Sequence, residues 1–265
     1  MKLHVNGATL HYEVRGQGPL LLLIPGGTGG AAAFDAIADS LAADYTVATY
    51  DPRGISRSTL DDPEAEQRVA EHADDALQLL ELLHPGGPAR VFASSSGAIA
   101  ALHLLTTHPE RVELLVAHEP PVVEVLPDAA EHRALIARVQ DTLRAEGLMP
   151  AMAEFAAGLG GNGEARLPPQ AAARAEQTMT DLPYFVGRIV PSFMSYTPDL
   201  RRLEESSDRL VLAGGQDSHG ELPYRAVAFL AERLGKPIAH FPGGHVGLTT
   251  HPAEFGDTLR KALHQ

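Results

Sequence analysis

The chain has 265 residues, 44% of them hydrophobic, so it can bury a sizeable core as one large domain or as a domain with an inserted subdomain. Lys and Arg number 21 against 34 Asp and Glu, and the formal net charge of −13 argues against nucleic acid or an anionic membrane as a partner. The sequence contains no cysteine, which excludes disulfide bonds, thiolate zinc sites and a cysteine nucleophile.

The first residues of the chain, 1–5, are typical of a strand and lack the apolar core of a signal peptide. The longest apolar run, residues 20–24, is far too short to span a bilayer. We therefore expect a cytoplasmic protein with no membrane contact. The sequence does not specify the oligomeric state and is compatible with a homodimer.

Strands alternate with helices in the first part of the chain. Asn6 and Gly7 predict a hairpin between two short strands, and residues 20–24 form an apolar strand of the kind buried on both faces. Then follow helix 31–42, strand 45–50, an acidic helix at 64–83, strand 89–92, helix 98–107 and strand 112–117. This alternation predicts an α/β protein with a mostly parallel, doubly wound sheet.

The alternation stops between residues 122 and 200, where the pattern is helical and interrupted by glycines and prolines. We interpret 122–200 as a helical cap inserted above the strand ends, where open α/β sheets bind ligands. Strand 209–213, helix 222–234, strand 237–241 and helix 252–263 complete a core domain of residues 1–121 and 201–265. Most apolar cap residues are expected to pack the cap itself, but Met152, Phe185 and Phe193 are candidate substrate contacts.

A serine-rich turn, Ala-Ser-Ser-Ser-Gly, lies between the strand at 89–92 and the helix at 98–107. A sharp strand-to-helix turn can present a serine hydroxyl above the sheet as a nucleophile, and it requires small residues two positions before and after that serine. Ser95 has Ala93 and Gly97 at those positions and fits best, although a serine that merely caps the helix is the alternative interpretation.

His245 is the strongest candidate for the base that such a serine needs. A serine hydroxyl is a poor nucleophile at neutral pH unless an imidazole, held by a carboxylate, accepts its proton. Among 13 histidines, His245 alone lies in a Gly-Gly-His loop after the last predicted strand, from which it can reach across the strand ends. His240, within a strand, and His251, at a helix start, are weaker candidates. No metal-ligand spacing is present, and we predict no metal.

A tetrahedral oxyanion requires preorganised N–H donors. We predict the amides of Ser96, at a helix start, and of Gly27, in the glycine-rich turn after the buried strand, with Gly26 and Thr28 as neighbouring substrate contacts. The same turn also fits the dinucleotide pattern G-x-G-x-x-A, with Asp51 where a ribose-binding acid would lie. That alternative is weaker, because the turn does not follow the opening strand of a βαβ unit.

These motifs together resemble the α/β-hydrolase superfamily along nearly the whole chain. The motifs are Pro25-Gly26-Gly27, Asp51-x-Arg53-Gly54-x-Ser56-x-Ser58, the Ser95 elbow, Gly214-x-x-Asp217 and Gly244-His245. Pro25 replaces the histidine usual in that family. The segments Ser94-Ser95-Ser96-Gly97-Ala98, His118-Glu119-x-Pro121 and Asp51-x-x-Gly54-x-Ser56-Arg57-Ser58 are more similar to the zearalenone lactone hydrolases, a likeness of the core and not of the cap.

The resemblance implies two candidates for the acid that holds the imidazole. The zearalenone lactonases have a glutamate just after the strand that follows the elbow, and this position maps onto Glu119. The wider superfamily more often places the acid after the next strand, which maps onto Asp217. The closer resemblance favours Glu119, while two carboxylates near one imidazole could also share the role.

The residues and the resemblance predict a serine hydrolase without a cofactor. We expect it to cleave a carboxylic ester or lactone of a small hydrophobic substrate, such as a zearalenone-like macrolactone, with Ser95, His245 and Glu119 or Asp217 as catalytic residues. Alternatives on the same fold are a carbon–carbon bond hydrolase, a cofactor-free haloperoxidase-like enzyme and a ligand receptor with little turnover.

Overall fold

A computed structural model of the protein describes residues 1–160 and 175–264. Within them a single sheet has the strand order β1-β2-β4-β3-β6-β7-β8-β9, with a short strand, β5, paired to β2. The strands are β1 (Lys2–Val5), β2 (Ala8–Arg15), β3 (Leu20–Ile24), β4 (Thr46–Tyr50), β5 (Thr59–Leu60), β6 (Ala89–Ser94), β7 (Val112–His118), β8 (Leu210–Gly215) and β9 (Ile238–Phe241). The six strands from β4 to β9 along this order are parallel, which confirms the predicted sheet.

Helices cover both faces of the sheet, as the doubly wound pattern predicts. The helices of the described residues are α1 (Asp35–Leu41), α2 (Val69–Leu83), α3 (Ser96–Thr107), α4 (Ala129–Ala145), α5 (Leu148–Leu159), α6 (Ala175–Tyr184), α7 (Val190–Met194), α8 (Leu200–Glu205), α9 (Leu222–Leu234), α10 (Gly247–Thr250) and α11 (Pro252–Leu263). Helices α2, α3 and α9 contribute to one apolar cluster, and α1 and α11 to another.

Strand β3 shows why a continuous apolar run is needed at the centre of this sheet. All five of its residues are buried, because both of its faces are covered. Leu22 and Ile24 belong to the cluster under α2 and α3, whereas Leu21 and Leu23 belong to the cluster under α1 and α11. Because side chains alternate between the two faces of a strand, β3 contributes to both layers of the core.

The segment between β7 and β8 is helical where it is described. Helices α4, α5 and α7, with a π-helical turn at Phe185–Ile189, contribute to a third apolar cluster, to which Leu222 of α9 also belongs. Members of this cluster include Leu135, Val139, Phe155, Val186 and Met194. The part of the predicted cap at 161–174 lies outside the described residues.

The helical insert is fastened to a core loop at 51–58. The Asp181 carboxylate accepts a hydrogen bond from the Ser56 amide at 3.1 Å, and the Tyr184 hydroxyl donates to the Arg53 carbonyl at 3.2 Å. A Cβ on Gly54, which has a φ of +75°, would overlap the Tyr184 ring. Glycine is therefore required there for α6 to approach the loop.

Two predicted helices begin later than the sequence pattern indicates. The predicted helix at 31–42 opens as a 3-10 turn (Ala31–Phe34) and becomes α1 at Asp35, because the Ala31 amide is held by the Asp51 carboxylate at 2.7 Å. Helix α2 begins at Val69 and not at 64, since Glu64, Glu66 and the extended Arg68 are exposed and have no apolar face to bury. No described helix is both long and apolar enough to cross a membrane.

Candidate active site

The candidate site lies where four neighbouring parallel strands end. Strands β6, β7, β8 and β9 are adjacent and in register, so the residues that follow them meet at one edge of the sheet. Ser95 follows β6, Glu119 follows β7, Ser218 lies in the loop after β8, and His245 lies in the loop after β9. The strand order itself therefore brings a hydroxyl, a carboxylate and an imidazole together.

Ser95 occupies a strained turn between β6 and α3. Its φ of +53° and ψ of −125° are unfavourable for a residue with a Cβ, and such strain is concentrated at functional sites. Two glycines make the turn possible. A Cβ on Gly97 would overlap the Pro25 carbonyl, and a Cβ on Gly26 would overlap the Ser94 carbonyl and approach the Ser95 side chain. The small residue predicted at 97 is thus required by the turn after β3.

His245 bridges the serine and the glutamate. Its Nε2 lies 3.1 Å from Ser95 Oγ, and its Nδ1 lies 2.7 Å from Glu119 Oε2. An ionised carboxylate only accepts hydrogen bonds, so it selects the tautomer with the proton on Nδ1. The lone pair of Nε2 then faces the Ser95 hydroxyl, which is the arrangement a general base needs.

Glu119 is fully buried, and its carboxylate is satisfied on both oxygens. Oε1 accepts the Gly215 amide at 2.8 Å and the Ser218 hydroxyl, while Oε2 faces His245. Burial alone would raise the pKa of Glu119, but the hydrogen bond from His245, the electrostatic interactions with the His118 and His245 rings and the hydrogen bond from Ser218 together outweigh it and hold that pKa at about 2. The carboxylate is therefore charged at any pH at which a histidine could act as a base.

Asp217, the other predicted acid, lies apart from this group. Its side chain is exposed, and among the described residues it makes no hydrogen bond to His245. The following residue, Ser218, is fully buried and turns its hydroxyl toward Glu119. The sequence reasoning missed Ser218, because a serine in a loop carries no signal that distinguishes it from a surface residue.

The two predicted oxyanion donors differ in their engagement. Ser96 is the first residue of α3, where amides have no intrahelical acceptor, and within the described residues its N–H has no partner. The Gly27 N–H, by contrast, already donates to the Ser96 hydroxyl oxygen at 3.0 Å. Gly27 has a φ of +59°, which favours glycine at this turn.

Two cavities meet at Gly27, Ser95 and His245. One, of about 180 Å³, extends beneath the helical insert, and its apolar lining includes Ile99, Phe155, Phe185, Ile189, Phe193 and Met194. The other, of about 750 Å³, is lined by Gly26 and by polar residues that include Thr28, Arg57 and Gln177. The predicted contacts Gly26, Thr28, Phe185 and Phe193 thus line a cavity. Met152 lines neither of the two and packs on the cluster inside the insert.

Asp51 has a structural role, and this argues against the alternative in which it binds the ribose of a dinucleotide. Its carboxylate is fully buried and accepts hydrogen bonds from the Ala31 amide and from Arg57 Nε, both at 2.7 Å. A ribose hydroxyl could not reach it without breaking these contacts. His240, the weaker base candidate, lies 3.0 Å from the Tyr224 hydroxyl and does not face Ser95.

His118 is a buried histidine next to the site, and its ring makes no hydrogen bond within the described residues. Its ring packs edge-on against Phe241 and Phe255, with centroids 5.7 and 5.3 Å away. Neither ring nitrogen has a hydrogen-bond partner among the described residues. Burial lowers the pKa of His118 from 6.5 to about 4, so the folded protein keeps this ring neutral.

We expect His118→Leu to reduce the acid sensitivity of the fold. As pH falls below 6.5, His118 becomes protonated in the unfolded chain, whereas in the folded chain it stays neutral until about pH 4. Within that window, each unit by which the pH falls lowers the free energy of unfolding of the wild type by about 1.4 kcal/mol through His118. Above the window, His118 contributes no pH dependence. Urea unfolding at several pH values should show the shallower slope in His118→Leu. The exposed His4→Gln variant is the control, and equal slopes for His118→Leu and wild type would contradict the prediction.

Known proteins are similar to this chain over its full length. The uncharacterized hydrolase YraK of Bacillus subtilis (strain 168) is 35% identical over 280 residues, which cover 99% of this chain and 95% of that protein. A zearalenone hydrolase of Cladophialophora bantiana is 29% identical over 268 residues, which cover 97% of this chain and 95% of that protein. A thermophilic esterase from Thermogutta terrifontis matches with a TM-score of 0.78 at 18% identity, over 100% of this chain and 98% of that one.

The family described as the alpha/beta hydrolase fold matches residues 19–153, about half of the chain. The structural likeness to the esterase covers 100% of this chain, so the same fold extends over the remainder. The fold predicted from the sequence is therefore confirmed. The chain belongs to the α/β-hydrolase family and is an enzyme of the hydrolase class.

Proposed function

We propose that the protein is a serine hydrolase that cleaves a carboxylic ester or lactone through an acyl-enzyme. The observation that carries this proposal is the position of the His245 ring, 3.1 Å from Ser95 Oγ on one side and 2.7 Å from Glu119 on the other. Hydroxyl, imidazole and buried carboxylate in this order form the unit that activates serine for acyl transfer.

In the acylation step, Ser95 Oγ attacks the substrate carbonyl carbon while His245 Nε2 takes the hydroxyl proton. The Glu119 carboxylate stabilises the imidazolium that forms, and it does so without desolvation at that moment because it is already buried. The carbonyl oxygen becomes an oxyanion next to the Ser96 amide. Collapse of this intermediate breaks the bond to the leaving oxygen, which receives the proton from His245 Nε2.

Deacylation repeats the sequence with water as the nucleophile. His245 Nε2 takes one proton from a water molecule, whose oxygen attacks the acyl carbon. The bond to Ser95 Oγ then breaks, and the serine regains its proton from His245. The product is a carboxylic acid, and the enzyme returns to its starting state with no oxidant, metal or cofactor consumed.

The shape of the site favours an apolar group on one side of the scissile bond. The 180 Å³ cavity beneath the insert is lined mainly by aliphatic and aromatic side chains, which suits an apolar acyl or alkyl group. A macrolactone has both sides of its ester joined in one ring, so it would lie across both cavities where they meet at Ser95. The likeness to a zearalenone hydrolase supports such a lactone as the substrate.

A covalent label tests the acyl-enzyme directly. An aryl alkylphosphonate should react once per chain at Ser95, release its phenol and abolish ester hydrolysis, with the added mass located by peptide mass spectrometry. Turnover of zearalenone in ¹⁸O-water should place one solvent oxygen in the new carboxylate and none in the new hydroxyl. Labelling at another residue, or full turnover by the phosphonylated protein, would exclude this mechanism, and solvent oxygen in the hydroxyl would exclude acyl transfer.

A further inference from the structure

The Gly27 amide, which sequence reasoning assigns to the oxyanion, is already occupied. Its N–H donates to Ser96 Oγ at 3.0 Å, so it is directed at a side-chain hydroxyl and not at open space. An amide proton engaged in this way cannot also make a well-aligned hydrogen bond to a substrate oxygen. The second donor to the oxyanion must therefore be sought elsewhere.

The Ser96 hydroxyl has a proton to offer. A serine hydroxyl is one donor as well as an acceptor, and here its acceptor role is filled by Gly27. Among residues 1–160 and 175–264 the Ser96 hydroxyl proton has no acceptor. Ser96 is half-buried and lines the apolar cavity that Ser95 and His245 also line. Its O–H bond is therefore free to turn toward the cavity in which Ser95 would meet a substrate carbonyl.

This contact is fixed by the backbone on both sides. The turn after β3 lies directly against the start of α3, because Gly97 packs against the Pro25 carbonyl and Gly26 against the Ser94 carbonyl, with no room for a Cβ at either position. Ser96 itself begins the helix, so its Cβ direction is fixed by the α3 backbone. The Gly27 N–H and Ser96 Oγ are thus held together before any substrate arrives.

We propose that Ser96 is a catalytic residue whose hydroxyl is the second oxyanion donor, beside the Ser96 amide. The Gly27 amide then acts on the oxyanion only through this hydroxyl. This inference rests on the proposed acyl transfer at Ser95. The Gly27 amide polarises the hydroxyl, and hydrogen bonds in such a chain strengthen one another. Because O–H to oxyanion bonds are short and strong, the hydroxyl stabilises the tetrahedral intermediate more than the neutral ester. It donates a hydrogen bond and keeps its proton, so no atom is transferred.

Ser96→Ala tests the role of the hydroxyl. It should lower kcat for ester hydrolysis by about 10²-fold and leave KM within about two-fold, since one oxyanion donor is lost and substrate binding is not. The affinity for an arylboronic acid, which forms a tetrahedral adduct with the serine, should fall by a similar factor. The affinity for the planar product acid should not change.

Ser96→Thr is the matched rescue variant, because it retains the hydroxyl. A cavity of about 20 Å³ lined by Ser96, Gly97 and His72 offers space for the added methyl group, and Ser96→Thr should recover most of the lost kcat and boronate affinity. The thermal unfolding temperatures of both variants show whether a loss of kcat comes from the missing hydrogen bond or from unfolding of the protein.

Two results would overturn the assignment of the Ser96 hydroxyl. Turnover by Ser96→Ala at or above the wild-type level would mean that the Gly27 amide donates directly once it is freed. Equal losses in folded Ser96→Ala and Ser96→Thr would mean that the hydroxyl is not the relevant group. Failure of the proposed function is recognised separately, because wild-type protein would then not be phosphonylated at Ser95.

Discussion

Ser95→Ala is expected to lower kcat for ester hydrolysis by about 10⁶-fold while the protein remains folded. The Ser95 hydroxyl makes its one side-chain hydrogen bond among the described residues to His245 Nε2, so its loss removes the nucleophile and leaves the packing of the turn intact. The same variant should bind the substrate with near-normal affinity, because the cavity lining is unchanged. Active-site titration and single-turnover kinetics measure the loss, and calorimetric binding measures the retained affinity.

Three companion variants make this result decisive. Ser94→Ala, one residue away, should retain at least about a tenth of the wild-type kcat. The double variant Ser95→Ala/His245→Ala should be no slower than Ser95→Ala, since residues that act as one unit are not additive. Ser95→Gly should be inactive yet about 1 kcal/mol more stable than Ser95→Ala, because glycine relieves the strain at a φ of +53°. Turnover by Ser95→Ala within ten-fold of wild type would contradict the nucleophile assignment.

The sequence predicts the sheet and the position of each chemical group along it. Alternation of strand and helix, the apolar run at 20–24 and the Asn6-Gly7 hairpin are local patterns, and all three appear in the structure. The elbow serine and the Gly-Gly-His loop could also be located, because both follow strands whose ends must share one edge.

What the sequence could not supply is the direction in which side chains point. Glu119 and Asp217 both follow strands that end at the site, so their spacing does not distinguish them. The backbone turn places Glu119 inward with a φ of +48° and leaves Asp217 exposed, with Ser218 directed at Glu119 in its place. The hydrogen bond from the Gly27 amide to Ser96 Oγ could not be predicted for the same reason. It joins residues 69 positions apart and depends on the direction of the Ser96 side chain.

Backbone strain occurs at both residues that are hydrogen-bonded to His245, Ser95 and Glu119. Ser95 and Glu119 are two of the three non-glycine residues with positive φ in the described part of the chain. Each follows directly on a parallel strand and turns its side chain across the strand ends, and each backbone is held by the next strand. The Ser95 amide donates to the His118 carbonyl at 2.9 Å, and the Glu119 amide donates to the Ala213 carbonyl at 3.0 Å. Adjacent sheet strands thus stabilise the strained positions that direct both groups at His245.

Glu119→Gln is expected to lower kcat by about 10⁴-fold, whereas Asp217→Asn should remain within about two-fold of wild type. In Glu119→Gln the side-chain oxygen is required by the Gly215 amide and the Ser218 hydroxyl, so the amide NH₂ must face His245 Nδ1. Nδ1 then becomes an acceptor and the ring proton moves to Nε2. A protonated Nε2 cannot accept the Ser95 proton, so the loss follows from the wrong tautomer and not from lost packing.

The two variants also separate a catalytic loss from a structural one. Since Gln has the shape of Glu, Glu119→Gln should unfold within a few degrees of wild type, and phosphonate labelling at Ser95 should slow in parallel with kcat. Asp217→Asn serves as the matched control, an acid-to-amide change on an exposed loop beside the same site. If Asp217→Asn lost turnover while Glu119→Gln kept it, the acid would be Asp217, and the Glu119 carboxylate would be a structural group that holds β7 to the loop after β8.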